Sequence, residues 1–205
     1  MNYKSRMHVD LHVIDAIDKA SLKTWGREAD ALRKALQDTS INIVGHTAGG
    51  VASLIEAINA VRTHRDSYID PRYAVPYIHI SCHGNKSGLV IGESEQISWR
   101  AVSEALLPLL ETTDYHLALS LSSCWGYRGG ELAYVMSENY RKRRPYYSLV
   151  GPTKEEKPLE LCAAFAEFYR QLLARFRKLS TAVQLANEVG PAKLDFTKGS
   201  RVRYD

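Results

Sequence analysis

The chain has 205 residues, 45% of them hydrophobic and 24% charged, and its 27 Lys and Arg against 23 Asp and Glu leave a net charge of +4. That apolar fraction excludes a disordered chain, no apolar run approaches the ~18 residues of a membrane span, and the opening Met1-Asn2-Tyr3-Lys4-Ser5-Arg6 is too polar for a signal peptide. Cys82, Cys124 and Cys162 form no even disulfide framework, so a soluble cytoplasmic protein with one domain over residues 1–205 is expected. The mild positive balance does not point to nucleic acid, whose binders concentrate a larger excess on one face.

Apolar periodicity alternates between two and about 3.6 along the chain, the pattern of alternating strands and helices. Val9, Leu11 and Val13 alternate with polar neighbours and predict a first strand near 7–14. Ala29, Leu32, Ala35 and Leu36 predict a helix over 26–38, and Ile41-Asn42-Ile43-Val44 a second strand closed by Gly45. Gly49-Gly50 opens a helix with Val51, Leu54, Ile55, Ile58 and Val61 on one face. Tyr77-Ile78-His79-Ile80-Ser81-Cys82 is a third strand that stops at His83-Gly84, and residues 88–99 read as a surface hairpin. Ser98 is placed to cap a helix through Leu110, with Pro108 in its last turn. A fourth strand, 116–121, runs to Ser123-Cys124. After it come a helix over about 130–141, a fifth strand over 146–150 stopped by Gly151-Pro152, and helices over about 158–175 and 180–189. One crossover helix per strand implies a largely parallel sheet covered on both faces.

In such a sheet, reacting groups collect beyond the carboxyl ends of the strands. The third strand ends in Ser81-Cys82-His83-Gly84 and the fourth in Ser122-Ser123-Cys124-Trp125-Gly126. On neighbouring strands about 5 Å apart, His83 and Cys124 form the minimal nucleophile–base pair. Gly84 frees a backbone N–H to face a substrate carbonyl, and the Cys124 N–H supplies a second oxyanion donor. Gly126 permits a tight turn out of the strand.

Ile80-Ser81-Cys82-His83-Gly84 followed by Leu121-Ser122-Ser123-Cys124-Trp125-Gly126 resembles the caspase-like cysteine peptidases, including the metacaspase, CHAT and separase branches. Residues 88–99 and Ser148-Leu149-Val150-Gly151-Pro152-Thr153 resemble the prokaryotic members of that family. The resemblance implies a caspase-like three-layer α/β sandwich, with about six mostly parallel strands between two helical layers. It implies a thiol protease (hydrolase) of protein substrates acting through a Cys124–His83 dyad, with no metal and no cofactor. Ser122 stands where metacaspase-like branches carry an Asp that binds a basic side chain, and Asp15 falls at a strand end beside the family's specificity pocket. Both are candidate substrate-binding residues. Standalone prokaryotic proteins of this kind resemble effectors of cell suicide or antiviral defence. Because the catalytic domain is expected to take up nearly the whole chain, control is expected from an activating partner, a small ligand, a homodimer or cleavage in a loop.

Other features have quieter readings. Cys82 and Cys162 are expected in the core, and Cys82, His83 and Cys124 lack zinc-ligand spacing. Gly45-His46-Thr47-Ala48-Gly49-Gly50 reads as a tight turn without the Lys of a phosphate loop, and Arg141-Lys142-Arg143-Arg144 as a solvated helix end. The competing functional reading is a catalytically silent module of the same fold that senses a nucleotide-like ligand or scaffolds a partner.

Overall fold

The computed structural model describes residues 9–67, 75–113, 116–130 and 146–198. Among these residues nine strands and six helices appear in the order β1 (Val9–Asp15), α1 (Lys19–Trp25), α2 (Glu28–Ala35), β2 (Ile41–Thr47), α3 (Val51–Asp66), β3 (Tyr77–Ser81), β4 (His83–Asn85), β5 (Gly88–Ile91), β6 (Glu95–Ser98), α4 (Trp99–Thr112), β7 (Ala118–Ser122), β8 (Ser148–Pro152), α5 (Pro158–Tyr169), α6 (Leu179–Ala186) and β9 (Leu194–Lys198). A 3-10 turn, Gly126–Gly130, follows β7, and a wide π turn, Arg170–Ala174, extends α5.

The main sheet has six strands in the order β2-β1-β3-β7-β8-β9. Its first five strands are parallel, and β9 joins the β8 edge antiparallel. Central strands in such a sheet are apolar on both faces, and alternate residues of β1 feed opposite sides. Leu11 and Val13 enter the core under α2, α5 and α6, whereas Ile14 enters the core under α3 and α4. All three are fully buried, which stabilises the fold by about 1.5–3 kcal/mol per side chain. The same alternation on β3 sends Ile78 and Ile80 to the α3–α4 side and turns His79 against Phe165 and Tyr169 of α5.

Register matters most at the carboxyl ends. Asp15 pairs with Ser81, and Ser81 pairs with Ser122, so β1, β3 and β7 finish in line. The Cys82 N–H donates to the Ser122 carbonyl at 3.2 Å and carries the β3–β7 ladder one residue further. The chain then turns into the small antiparallel sheet β4-β5-β6, whose far end is pinned to the β1 exit by the Gly92 N–H donating to Ala16 O at 2.9 Å.

Several expectations change. The helix predicted over 26–38 is the shorter α2, and a separate helix, α1, precedes it with Asp18 as its cap, its carboxylate accepting from the Ser21 N–H at 2.8 Å. β2 runs past Gly45 to Thr47, and β8 runs through Gly151 to Pro152. Ser98 caps α4 as expected, and that helix continues past Pro108 to Thr112. β9 is an additional edge strand. The helix predicted over 130–141 and the run Arg141-Lys142-Arg143-Arg144 lie outside the described residues. Among the described residues no helix is long and apolar enough to cross a membrane.

Candidate active site

His83 and Cys124 each lie two residues beyond the paired Ser81 and Ser122, so neighbouring strands carry them to the same edge. Both line one open cleft with an empty volume of about 620 Å³. The Cys124 thiol is half-buried and donates weakly toward the Glu156 carbonyl at 3.9 Å. Trp125 follows in the left-handed region at φ 62°, an unusual conformation for a bulky residue. Gly126 then closes the turn with its N–H on Ser123 O at 2.9 Å. A Cβ on Gly126 would strike the Leu121 carbonyl, so the turn out of the strand is tight enough to require glycine.

Gly84 has a comparable constraint. A side chain there would run into the Cys124 carbonyl oxygen and stand 3.0 Å from the Ser123 Cβ. The two backbones therefore touch beside the thiol. Asn85 and Gly88 flank a two-residue hairpin loop and form a hydrogen-bonded pair, which makes Gly84–Leu89 the next, non-bonded pair of the ladder. The Gly84 N–H accordingly faces away from β5. Among the described residues no hydrogen bond engages the Cys124 N–H either.

The imidazole of His83 is held from behind. Its Nε2 lies 3.0 Å from Asp18 Oδ2 and 3.2 Å from Ser21 Oγ. The Ser21 hydroxyl donates to the same Asp18 oxygen at 2.5 Å. The Trp25 indole stands edge-on to the imidazole with ring centroids 6.4 Å apart. Hydrogen bonds from the Ser21 hydroxyl, the Ser21 N–H and then His83 hold the Asp18 carboxyl well below the usual carboxylate range.

Asp15 is placed differently from its expected position. Its side chain is fully buried, accepts from the Glu28 N–H at 2.8 Å and pairs with Arg27 at 3.3 Å, so it anchors the start of α2 and does not line the cleft. Burial pushes its carboxyl up. The acidic side chain that does line the cleft from α2 is Glu28. Ser122 Oγ donates to Glu28 Oε1 at 3.0 Å. His79 Nε2 stands 3.2 Å from that same oxygen, out of line for a hydrogen bond. Burial would raise the Glu28 carboxyl, but His79 and the hydroxyls of Ser81 and Ser122 outweigh it and hold the group below its ordinary value.

No family model matches the sequence, and no curated protein matches it either. Solved structures do. Caspase-1 from Spodoptera frugiperda superposes with a TM-score of 0.53 at 12% sequence identity, covering 94% of this chain and 89% of that one. The fold is caspase-like.

Within this caspase-like frame the six-stranded sheet is the expected three-layer sandwich, and β4-β5-β6 is the hairpin unit between the two strand ends that carry His83 and Cys124. Ser122 lines the cleft and is bonded to Glu28. Cys82 is buried in the α3–α4 core and Cys162, expected in the core, is half-buried, and both border the cleft. Burial pushes both thiols up. Among the described residues no group of three or more His, Cys, Asp or Glu side chains has metal-binding geometry. The turn over 45–50 brings its own anion: Glu95 Oε2 accepts from the Val51 N–H at 2.8 Å and fills the start of α3.

Sequence reading missed Asp18 and Glu28 as site residues. Asp18-Lys19-Ala20-Ser21 is a recognisable cap pattern, but its pairing with His83 depends on the topology. Glu28 sits in the polar run Arg27-Glu28-Ala29-Asp30, whose composition matches a solvated first turn.

Proposed function

We propose that the chain is a cysteine endopeptidase in which Cys124 is the nucleophile and His83 the acid–base group. One observation carries this reading: a half-exposed thiol and an exposed imidazole stand at the ends of two paired strands, over a backbone contact that admits only glycine at position 84. A neighbouring imidazolium favours the thiolate. Cys124 Sγ adds to the scissile carbonyl carbon, forming a C–S bond while the carbonyl π electrons pass to oxygen. The N–H groups of Gly84 and Cys124 receive that oxyanion. Collapse breaks the C–N bond, and His83 protonates the departing amine. Water then loses a proton to His83 and adds to the thioester. The C–S bond breaks, releasing the acid and regenerating the thiolate–imidazolium pair.

The substrate is a protein cleaved after Lys or Arg. Glu28 supports this specificity, with Ser81 and Ser122 beside it: an ionised carboxylate at the wall of a cleft whose other lining groups include Ile17, Leu159 and Leu161. A long side chain with an apolar stem and a cationic head matches that lining. The role expected of Asp15 passes to Glu28, because the Asp15 carboxylate is spent on α2. Control by an activating partner or a small ligand belongs to the same proposal, as does service as a cytoplasmic effector of cell suicide or antiviral defence.

Turnover of protein and peptide substrates by the purified chain tests the reading. Cys124→Ala and His83→Ala are each expected to lower kcat/KM by about a thousandfold or more with folding intact. A Cys124→Ala protein that cleaves at the wild-type rate contradicts it.

A further inference from the structure

We propose that Asp18 is the positioning residue of His83: its carboxylate fixes the Nε2–H tautomer whenever the ring is neutral, presents Nδ1 to the Cys124 thiol and stabilises the imidazolium of the thiolate–imidazolium pair. This inference rests on the peptidase reading and adds a member to its dyad from a part of the chain, the β1–α1 connection, that the sequence motifs do not touch.

Three observations converge on it. Asp18 Oδ2 lies 3.0 Å from His83 Nε2, and among the described residues no hydrogen bond reaches Nδ1. An ionised carboxylate only accepts, so the shared hydrogen belongs to Nε2, and the neutral ring keeps its lone pair at Nδ1. The Asp18 carboxylate is itself immobilised. Oδ1 takes the Ser21 N–H at 2.8 Å, and Oδ2 takes the Ser21 hydroxyl at 2.5 Å. With its hydrogen spent on Asp18, the Ser21 hydroxyl meets His83 Nε2 at 3.2 Å as a second acceptor for the same N–H. One helical turn therefore holds the carboxylate, and the carboxylate holds the ring.

The other ionisable groups around the cleft do not replace it. Glu28 is occupied by Ser122 and His79, and Glu156 by the Lys193 N–H at 3.1 Å and the Lys154 ammonium at 3.8 Å. From α1 the indole of Trp25 contributes only an edge contact. Lys86 from the hairpin loop stands over the Trp125 ring, 5.0 Å from its centroid.

Asp18→Asn keeps a side chain that caps helices well and can still meet Nε2, but it removes the charge. The experiment follows iodoacetamide alkylation of Cys124 from pH 4 to 10 in the full chain, with Cys82 and Cys162 resolved by peptide mass mapping, beside peptide turnover. Wild type is expected to alkylate faster than a free thiol at neutral pH. In Asp18→Asn the alkaline edge of that enhanced region should fall by about one pH unit, a tenfold weaker hold on the imidazolium. Turnover should show kcat reduced about tenfold or more with KM little changed. An accelerated wild type whose profile Asp18→Asn reproduces overturns the Asp18 assignment alone, whereas a wild type that alkylates as a free thiol overturns the dyad and Asp18 with it. A variant-independent reading comes from 15N shifts of the His83 ring in wild type above that alkaline edge, where the ring is neutral. The Nε2–H tautomer supports the assignment, and the Nδ1–H tautomer overturns it.

Discussion

Lowering the pH should destabilise the protein through one buried histidine. His12 sits near the middle of β1 with 3% of its surface exposed. Its Nδ1 is 3.1 Å from His46 Nε2 on β2, and the His64 ring of α3 meets it edge-on at 5.0 Å between centroids. Burial, then the neighbouring charges of His46 and His64, outweigh the attraction of Asp10 and pull the His12 imidazole down to about 4 from 6.5. Between those two values the unfolded chain takes up a proton that the folded chain refuses, so stability is full above about pH 6.5 and falls as the pH drops toward 4. For a single site the loss is about 2 kcal/mol at pH 5 relative to pH 8, approaching about 3 kcal/mol below pH 4. Urea unfolding at pH 8, 6 and 5 measures it. With a denaturant slope of about 2 kcal/mol per molar, the wild-type midpoint should fall by roughly 1 M between pH 8 and 5. His12→Phe keeps a ring on β1 and removes the proton site, so its midpoint should fall much less. His46 is shifted in the same direction by its own burial and keeps a smaller slope alive. A His12→Phe protein with the full wild-type pH dependence would refute the reasoning.

Two other perturbations act on the cleft. Glu28→Gln preserves the shape that Ser122 meets while removing the charge, and should lower kcat/KM for Arg relative to Ala at the cleaved position by about tenfold or more, the range of a charge-assisted hydrogen bond. An unchanged ratio across a position-varied peptide set would remove Glu28 from substrate selection. Gly84→Ala drives a methyl into the Cys124 carbonyl and so parts the two backbones that would hold the oxyanion. Its kcat should fall by about 10²–10³ while thermal unfolding moves far less, and wild-type turnover would deny the contact a part in catalysis.

Much of the frame was legible because it is written in apolar periodicity. Leu11, Val13, Ile78, Ile80, Leu119 and Leu121 mark central strands whatever follows them, and His83 and Cys124 sit beside the glycines that end such strands. The residues behind His83 were less legible. Asp18 and Ser21 form a local cap, and nothing in that short polar stretch says that β3 will deliver an imidazole to it. Asp15 reads as a cleft carboxylate because the resemblance puts that strand end beside a specificity pocket, yet the start of α2 lies over the end and consumes it. Glu28 is the reverse case. A first-turn glutamate reads as solvated until Ser122 and His79 enclose it. β9 escaped because Leu194 and Phe196 are too few alternating apolar residues to identify a half-exposed edge strand.

The central claim is that Cys124 is an activated nucleophile served by His83. A peptide chloromethylketone with Arg at its reactive end, applied near pH 7 and followed by intact-mass and peptide mapping, tests it most directly. The expected result is one adduct per chain, on Cys124, formed far faster than with free cysteine and lost in Cys124→Ala, with His83→Ala slowing it by about a hundredfold or more. Labelling no faster than free cysteine, or unaffected by removal of His83, would contradict the account.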